Sequence, residues 1–249
     1  SKVDITTKEE VEGAHLQIIE TDEEGNEVKI AEEWDSKNDE QPHLVYYLKT
    51  DVTYILRETI APDGYTIAAD TTFVIDKDGN ITSTGTITEE GVLLVEDAPT
   101  KVPVSKVDIT TKEEVDGAHL QIIETDDEGN EVKIAEEWDS KKEDDPHYVY
   151  YLKTDVTYIL RETIAPDGYT IAADTTFVID KDGNITSTGT ITEEGVLLVE
   201  DAPTKVPVSK IDITTQEEVD GAHLQIIETD EKGNEVDIVE EWESKKEDD

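Results

Sequence analysis

Apolar and polar residues alternate along this chain in short runs, the pattern of strands that bury one face. In the first hundred residues the runs begin with VDIT at Val3, AHLQIIE at Ala14 and EVKIAEEW at Glu27. HLVYYL at His43, TYILRET at Thr53, TTFVID at Thr71, ITSTGTI at Ile81 and GVLLVE at Gly91 complete the set. Polar, glycine-bearing segments separate them, such as EEGN after Asp22 and DKDGN from Asp76, and sequences of this kind close hairpins. No stretch combines a helical period with capping residues. The prediction is an all-β fold, a sandwich of seven or more strands.

The pattern then starts again. SKVDITTKEEV at Ser1 returns at Ser105 and, as SKIDITTQEEV, at Ser209, which gives a period of 104 residues. A period this long is a whole domain, unlike the short units of a solenoid, which must stack to bury a core. The expected organisation is a rod of tandem copies, with copy one over 1–104, copy two over 105–208 and the opening part of a third over 209–249. Copies one and two differ at seven positions, and five of them, Asn38, Asp39, Glu40, Gln41 and Leu44, lie in or beside one polar loop. The third copy stops before the segment that reads PHYVYYLK in copy two, so it is expected to lack closing strands and to leave its core incomplete. Between copies runs DAPTKVPVSK, Asp97 to Lys106, which Pro99 and Pro103 should hold as a short, stiff link.

Composition narrows the function. The 249 residues include 64 acidic and 21 basic side chains, a formal net charge of −43, so nucleic acid and anionic membranes are poor partners. A hydrophobic content of 35% suits several small β domains better than one large core. No apolar run reaches the length of a membrane span and no signal segment opens the chain. Cysteine is absent, which excludes disulfides, thiolate catalysis and cysteine-ligated metal centres. Methionine is absent too, even at position 1, and the chain reads as a processed or excised piece. The histidines, His15, His43, His119, His147 and His223, stand at repeat-equivalent positions without metal-ligand spacing, so strand-surface roles are expected. DKDGN starts like a calcium loop but lacks the closing Glu, and a hairpin turn is the stronger reading. Asn80-Ile81-Thr82 has the glycosylation pattern, which matters only in a eukaryotic secretory host. No nucleophile elbow, phosphate loop or Ser/His/Asp arrangement is present, and no cofactor or metal is expected.

One segment carries more specific chemistry. YILRETIAPDGY, Tyr54 to Tyr65, returns word for word as Tyr158 to Tyr169. Alternation places Tyr54, Leu56 and Glu58 on one face and Ile55, Arg57 and Thr59 on the other, and periodicity leaves open which face is buried. The segment resembles the Y-x-L-x-E-T-x-A-P-x-G-Y "E-box" of Gram-positive pilins and of the CnaB-type, prealbumin-like domains of surface adhesins. SKVD at Ser1, Gly13-Ala14 and the closing VLLVEDAPT are similar to that family's first and last strands. The resemblance covers both complete copies and the start of the third.

It implies tandem prealbumin-like, Ig-like sandwiches in which the side chains of a first-strand Lys and a last-strand Asp join spontaneously as an amide, with the E-box Glu as catalyst. The residues named are Lys2, Asp97 and Glu58 in copy one, and Lys106, Asp201 and Glu162 in copy two. Lys210 matches the Lys position in the third copy, with no Glu or acceptor after it. Glu96 stands beside Asp97, and Glu200 beside Asp201, so a one-residue shift of register exchanges the acceptor. The place directly before Ala-Pro favours Asp97 and Asp201.

The same resemblance implies a stalk or spacer segment of a bacterial surface adhesin or fibre, extracellular, and a single-turnover reaction in place of enzyme activity. Its partners would be neighbouring repeats, with a distal adhesive domain and a cell-wall anchor elsewhere. The alternative is a ligand-binding adhesin module using the loop Asn38 to Leu44 together with Tyr46 and Tyr47. Neighbours on a strand alternate, so one of those two tyrosines is expected to pack inward, and Trp34 is expected in the core.

Overall fold

The computed structural model describes residues 1–38, 41–144 and 146–246. Asp39 and Glu40 of the variable loop lie outside the described residues. The chain divides into two units, Ser1–Pro203 and Thr204–Asp249.

Copy one contributes β1 (Lys2–Asp4), β2 (His15–Thr21), β3 (Glu27–Asp35), β4 (Thr53–Ile60), β5 (Thr71–Ile75), β6 (Ile81–Ser83) and β7 (Val95–Asp97). The middle five form an antiparallel sheet in the order β3-β2-β4-β5-β6, while β1 and β7 pair in parallel. The predicted turns close the hairpins. Asp22 accepts the backbone N–H groups of Glu24 and Asn26, and Gly25, at φ 85°, takes the left-handed position that a side chain disfavours. DKDGN turns β5 into β6 in the same way, with Asp76 accepting the N–H groups of Asp78 and Asn80.

Copy two opens with β8 (Lys101–Asp108), β9 (His119–Thr125), β10 (Glu131–Asp139), β11 (His147–Tyr150) and β12 (Thr157–Ile164). It closes with β13 (Tyr169–Thr170), β14 (Thr175–Ile179), β15 (Ile185–Ser187), β16 (Thr190–Ile191) and β17 (Leu197–Pro203). One sheet runs β10-β9-β12-β14-β15, and the facing sheet runs β11-β8-β17-β13 with β16 also on β17. Between them Leu120, Ile122, Tyr158, Leu160, Phe177 and Leu197 form the buried core. Each of these has its counterpart on the inward face of copy one, where Tyr54 stacks on Phe73 at 5.4 Å.

Two expectations change here. The segment DAPTKVPVSK is more than a link, because its second half belongs to β8, which continues without a break into the first strand of copy two. Val102 and Val104 point into the core of copy two at 0% and 2% exposure. Pro103 is accommodated because it pairs with β11 alone, since the parallel pairing with β17 begins at Val104. HLVYYL is the second correction: its equivalent in copy two is β11, paired to β8, but in copy one it forms no strand. A strand needs a partner for its backbone N–H and C=O groups, which β11 finds in β8, and among the described residues no strand pairs with HLVYYL in copy one. Tyr46 and Tyr47 are therefore both exposed, contrary to the alternation argument, and Tyr47 breaks the pleat at φ 65° while Val45 and Leu48 turn toward the core. Trp34 packs half-buried on that core and stacks on His43 at 4.4 Å.

Within the first unit the two copies meet in a defined joint. Tyr151 of copy two packs edge-on against Tyr65 of copy one at 5.6 Å, and its hydroxyl lies 3.5 Å from Asp4. Thr100, buried in the joint, donates its N–H to the Gly64 carbonyl and its hydroxyl to the Leu152 carbonyl. The Ile67 N–H donates to the Lys181 carbonyl at 2.9 Å, and Lys153 pairs with Asp63 at 3.7 Å. The second unit holds the hairpin of β18 (His223–Thr229) and β19 (Glu235–Glu243), on which Val236, Ile238 and Val239 are exposed.

Candidate functional site

The parallel pairing of β1 with β7 places Lys2 opposite Val95 and Asp4 opposite Asp97. A lysine side chain is long enough to reach two residues along the neighbouring strand, and Lys2 Nζ contacts Asp97 Oδ1. Glu58 comes from β4 in the facing sheet, and its Oε1 lies 3.3 Å from the same nitrogen. The face of β4 that periodicity left undecided is thereby fixed: Tyr54, Leu56 and Glu58 are buried. Arg57 turns outward into ion pairs with Asp70 at 2.7 Å and Glu27 at 2.9 Å. Copy two repeats the arrangement, with Lys106 Nζ in contact with Asp201 and 3.2 Å from Glu162.

Register decides which carboxylate faces in. Asp97 is fully buried, whereas Glu96 points to the surface, accepting hydrogen bonds from Lys8 and Thr86 at 2.6 Å each. Glu200 does the same in copy two with Lys112 and Thr190. Lys210 lies in the exposed opening stretch of the second unit.

The electrostatics are those of charges removed from water. At 1% and 0% side-chain exposure, Lys2 and its two carboxylates have lost almost all hydration. Desolvation pushes the Asp97 carboxyl up to about 7, although Lys2 pulls the other way and Glu58 adds to the rise. In copy two the same loss of hydration raises Glu162, against the hydrogen bond it accepts from the Ala172 N–H. Glu58 and Glu162 are each oriented by one such bond, from Ala68 and Ala172, at 2.6 Å. Lys2 Nζ, Glu58 Oε1 and both Asp97 oxygens make no hydrogen bond of ordinary geometry, so contact here is not a satisfied network.

A second group of residues supports the site. Asp4, next in register to Asp97, accepts the N–H groups of Thr6 and Thr7 and the hydroxyl of Tyr65, the last residue of the repeated segment. Burial pushes the Tyr65 hydroxyl up to about 12, and its bond to Asp4 acts in the same direction. Ala68 and Asp4 escaped the sequence reading, although the Asp of SKVD and the final Tyr of YILRETIAPDGY were the signals that could have paired them.

A family described as SpaA, prealbumin-like fold domain, matches residues 1–89 and 100–193. The chain belongs to that family. The matches fall one in each of the two full copies and leave out residues 90–99 and 194–249. Among solved structures, a C-terminal fragment of the pilus adhesin SpaC from Lactobacillus rhamnosus GG is similar at 16% identity and a TM-score of 0.44, over 84% of this chain and 97% of that one. The same adhesin in its open conformation matches at 16% identity and a TM-score of 0.40, over 84% of this chain but only 31% of that one. The shaft pilin SpaA of the same organism matches at 17% identity and a TM-score of 0.32, over 81% of this chain and 89% of that one. No curated protein sequence matches the chain.

Of the loop candidates, Gln41, His43 and Leu44 line a cleft of about 890 Å³ in copy one, while Tyr46 and Tyr47 are exposed. His15 and His119 each bond a strand aspartate, and His147 stacks on Trp138 at 4.4 Å. Among the described residues no group of three or more His, Asp or Glu is arranged to hold a metal.

Proposed function

We propose that this chain is a load-bearing spacer segment of a bacterial surface fibre or adhesin, in which each complete copy is locked by an amide between its first and last strands. The observation that carries the reading is the buried Lys, Glu and Asp group, formed twice across a parallel pair of terminal strands. An amine is nucleophilic only when neutral, and a carboxyl accepts attack only when its charge is suppressed; an apolar pocket favours both neutral forms. Lys2 Nζ attacks Asp97 Cγ, a C–N bond forms, and the carboxyl C–O bond breaks. Glu58 takes the proton from nitrogen and delivers it to the departing oxygen, so that one water leaves and Glu58 is unchanged. The fold supplies contact between the reacting groups, an advantage that reaches roughly 7 to 11 kcal/mol in well-oriented reactions. The chemistry runs once per copy and releases no product but water, so the protein is a self-processing structural element and not an enzyme.

The intact mass of the folded chain tests this. The expected value is two waters below the sequence mass, with one water regained in Glu58→Ala, one in Glu162→Ala, and both in the double variant. A full sequence mass for the unaltered chain removes the amide and leaves a spacer without reinforcement.

A further inference from the structure

The three reacting strands of copy one are tied together just beyond the reacting groups. Asp4 ends β1, two residues after Lys2, and is buried at 2% exposure. Its Oδ2 accepts the Tyr65 hydroxyl at 3.1 Å, and Tyr65 closes YILRETIAPDGY, the segment that opens on β4 and carries Glu58. Thr66, the next residue, donates its N–H to the carbonyl of Ala98, which directly follows Asp97. Asp4, Tyr65, Thr66 and Ala98 thus link the strand of the amine, the strand of the Glu and the strand of the acceptor.

β1 needs such a tie. It pairs with β7 over three residues only. Alternation keeps Lys2 facing inward even after a slip of two residues, which carries it about 7 Å along β7 and out of reach of Asp97. The bonds from Asp4 to the Thr6 and Thr7 N–H groups travel with β1. The bond from Tyr65 does not, and a buried carboxylate drawn away from that hydroxyl loses a partner it cannot replace with water.

Copy two reaches the same cluster. Tyr151 packs edge-on against the Tyr65 ring at 5.6 Å, and its hydroxyl lies 3.5 Å from the Asp4 oxygen that Tyr65 bonds. Its N–H donates to the carbonyl of Thr100, three residues after Asp97. Thr100 closes the contact, with its N–H on the Gly64 carbonyl and its hydroxyl on the Leu152 carbonyl at 2.6 Å. We propose that Tyr151 is a positioning residue for the reaction of copy one: it seats the Tyr65 ring, holds Asp4 and with it Lys2 in register, and so lets the docking of copy two speed formation of the Lys2–Asp97 amide. The inference rests on the amide proposed above. Tyr151 acts through Tyr65 and Asp4 and not on the reacting groups. Copy one then locks quickly only once copy two has folded against it, and its amide marks a completed joint.

The test follows each link separately in the full chain. The chain is made in a short pulse of cell-free synthesis, quenched at intervals in acid and denaturant and digested, and the linked Lys2–Asp97 and Lys106–Asp201 peptides are measured by mass. Tyr151→Ala should slow the link of copy one roughly two- to tenfold, the range of one aromatic pair, and leave that of copy two unchanged. Tyr151→Phe keeps the ring and should restore the rate to within about twofold. Tyr65→Phe should slow copy one alone, and Tyr169→Phe, which removes the equivalent bond to Asp108 at 3.0 Å, copy two alone. Rates are compared where denaturant titration finds copy one fully folded in Glu58→Ala and in Glu58→Ala/Tyr151→Ala, so that a loss of stability alone does not change them. An unchanged copy-one rate in Tyr151→Ala or in Tyr65→Phe overturns the proposal and leaves the amide standing. Slowing of both links together in Tyr151→Ala does the same. Absence of both linked peptides from the unaltered chain overturns the amide and this inference with it.

Discussion

The parallel geometry of β1 and β7 makes a sharp mechanical prediction. Parallel terminal strands place the entering and leaving chain ends at opposite ends of one pair, so tension shears Lys2–Asp4 along Val95–Asp97. An amide from Lys2 to Asp97 carries that load covalently and shields everything between. At about 3.4 Å per residue the stretch from Lys2 to Asp97 has a contour of roughly 320 Å. In single-molecule extension, Glu58→Ala should add one lengthening step of about 320 Å, the Glu58→Ala/Glu162→Ala double variant two, and the unaltered chain none. The unlinked copies should also differ in force. Copy one pairs its terminal strands over three residues and copy two over five, so copy one should open first. Losing the link should also cost each copy about 4 to 5 kcal/mol, by analogy with a disulfide closing a loop of this size. Two steps of about 320 Å in the unaltered chain, at forces that open ordinary sandwiches, would refute the reasoning.

The buried carboxylate, the shared strand and the joint each carry a further expectation. In the unlinked Glu58→Ala copy the contribution of Glu58 is gone, but burial, the largest cause, still raises the folded Asp97 carboxyl, which keeps a proton that the unfolded chain releases near 4. Stability should then fall as pH rises from the unfolded value and level off above the raised folded one, which denaturant titration across pH would read; a flat profile contradicts the assignment. Val104→Ala removes two methyl groups from the core of copy two and should cost about 2 kcal/mol there while leaving the melting of copy one in place. Gly64→Ala and Gly168→Ala both strain a left-handed glycine, but a Cβ at Gly64 would meet the Tyr151 carbonyl at 2.9 Å and one at Gly168 nothing within 4 Å. The first should therefore be the more destabilising, and equal losses would show that the joint contributes nothing.

Much of the fold was legible because it rests on local pattern. The hairpins follow from Asp and Gly at fixed offsets, and the strands from their alternation. The site was legible through a different signal, a repeated motif, since alternation along TYILRET is equally satisfied with Glu58 or Arg57 inside. What decides is the facing sheet, which no local window contains. The segment KVPVSKVD was misread for a related reason. Its Val102 and Val104 alternate as strand residues should, but Pro103 between them suggested a linker, because whether a proline can sit in a strand depends on which neighbour lies on its N–H side. The strand assigned to HLVYYL holds in one copy and fails in the other with almost the same sequence. That pairing is decided by a partner outside the segment.

A strand that straddles the boundary between copies also changes what counts as a unit of growth. β8 draws its first residues from the end of one period and its last from the start of the next, so a sandwich cut out at Ser105 would lose Val102 and Val104. Excision of any window of 104 residues within the repeats, wherever it begins, instead rejoins matching sequence to matching sequence and regenerates the same shared strand. Recombination between the copies can therefore shorten or lengthen the array without needing to find a domain edge. Each product keeps an intact joint at every internal seam.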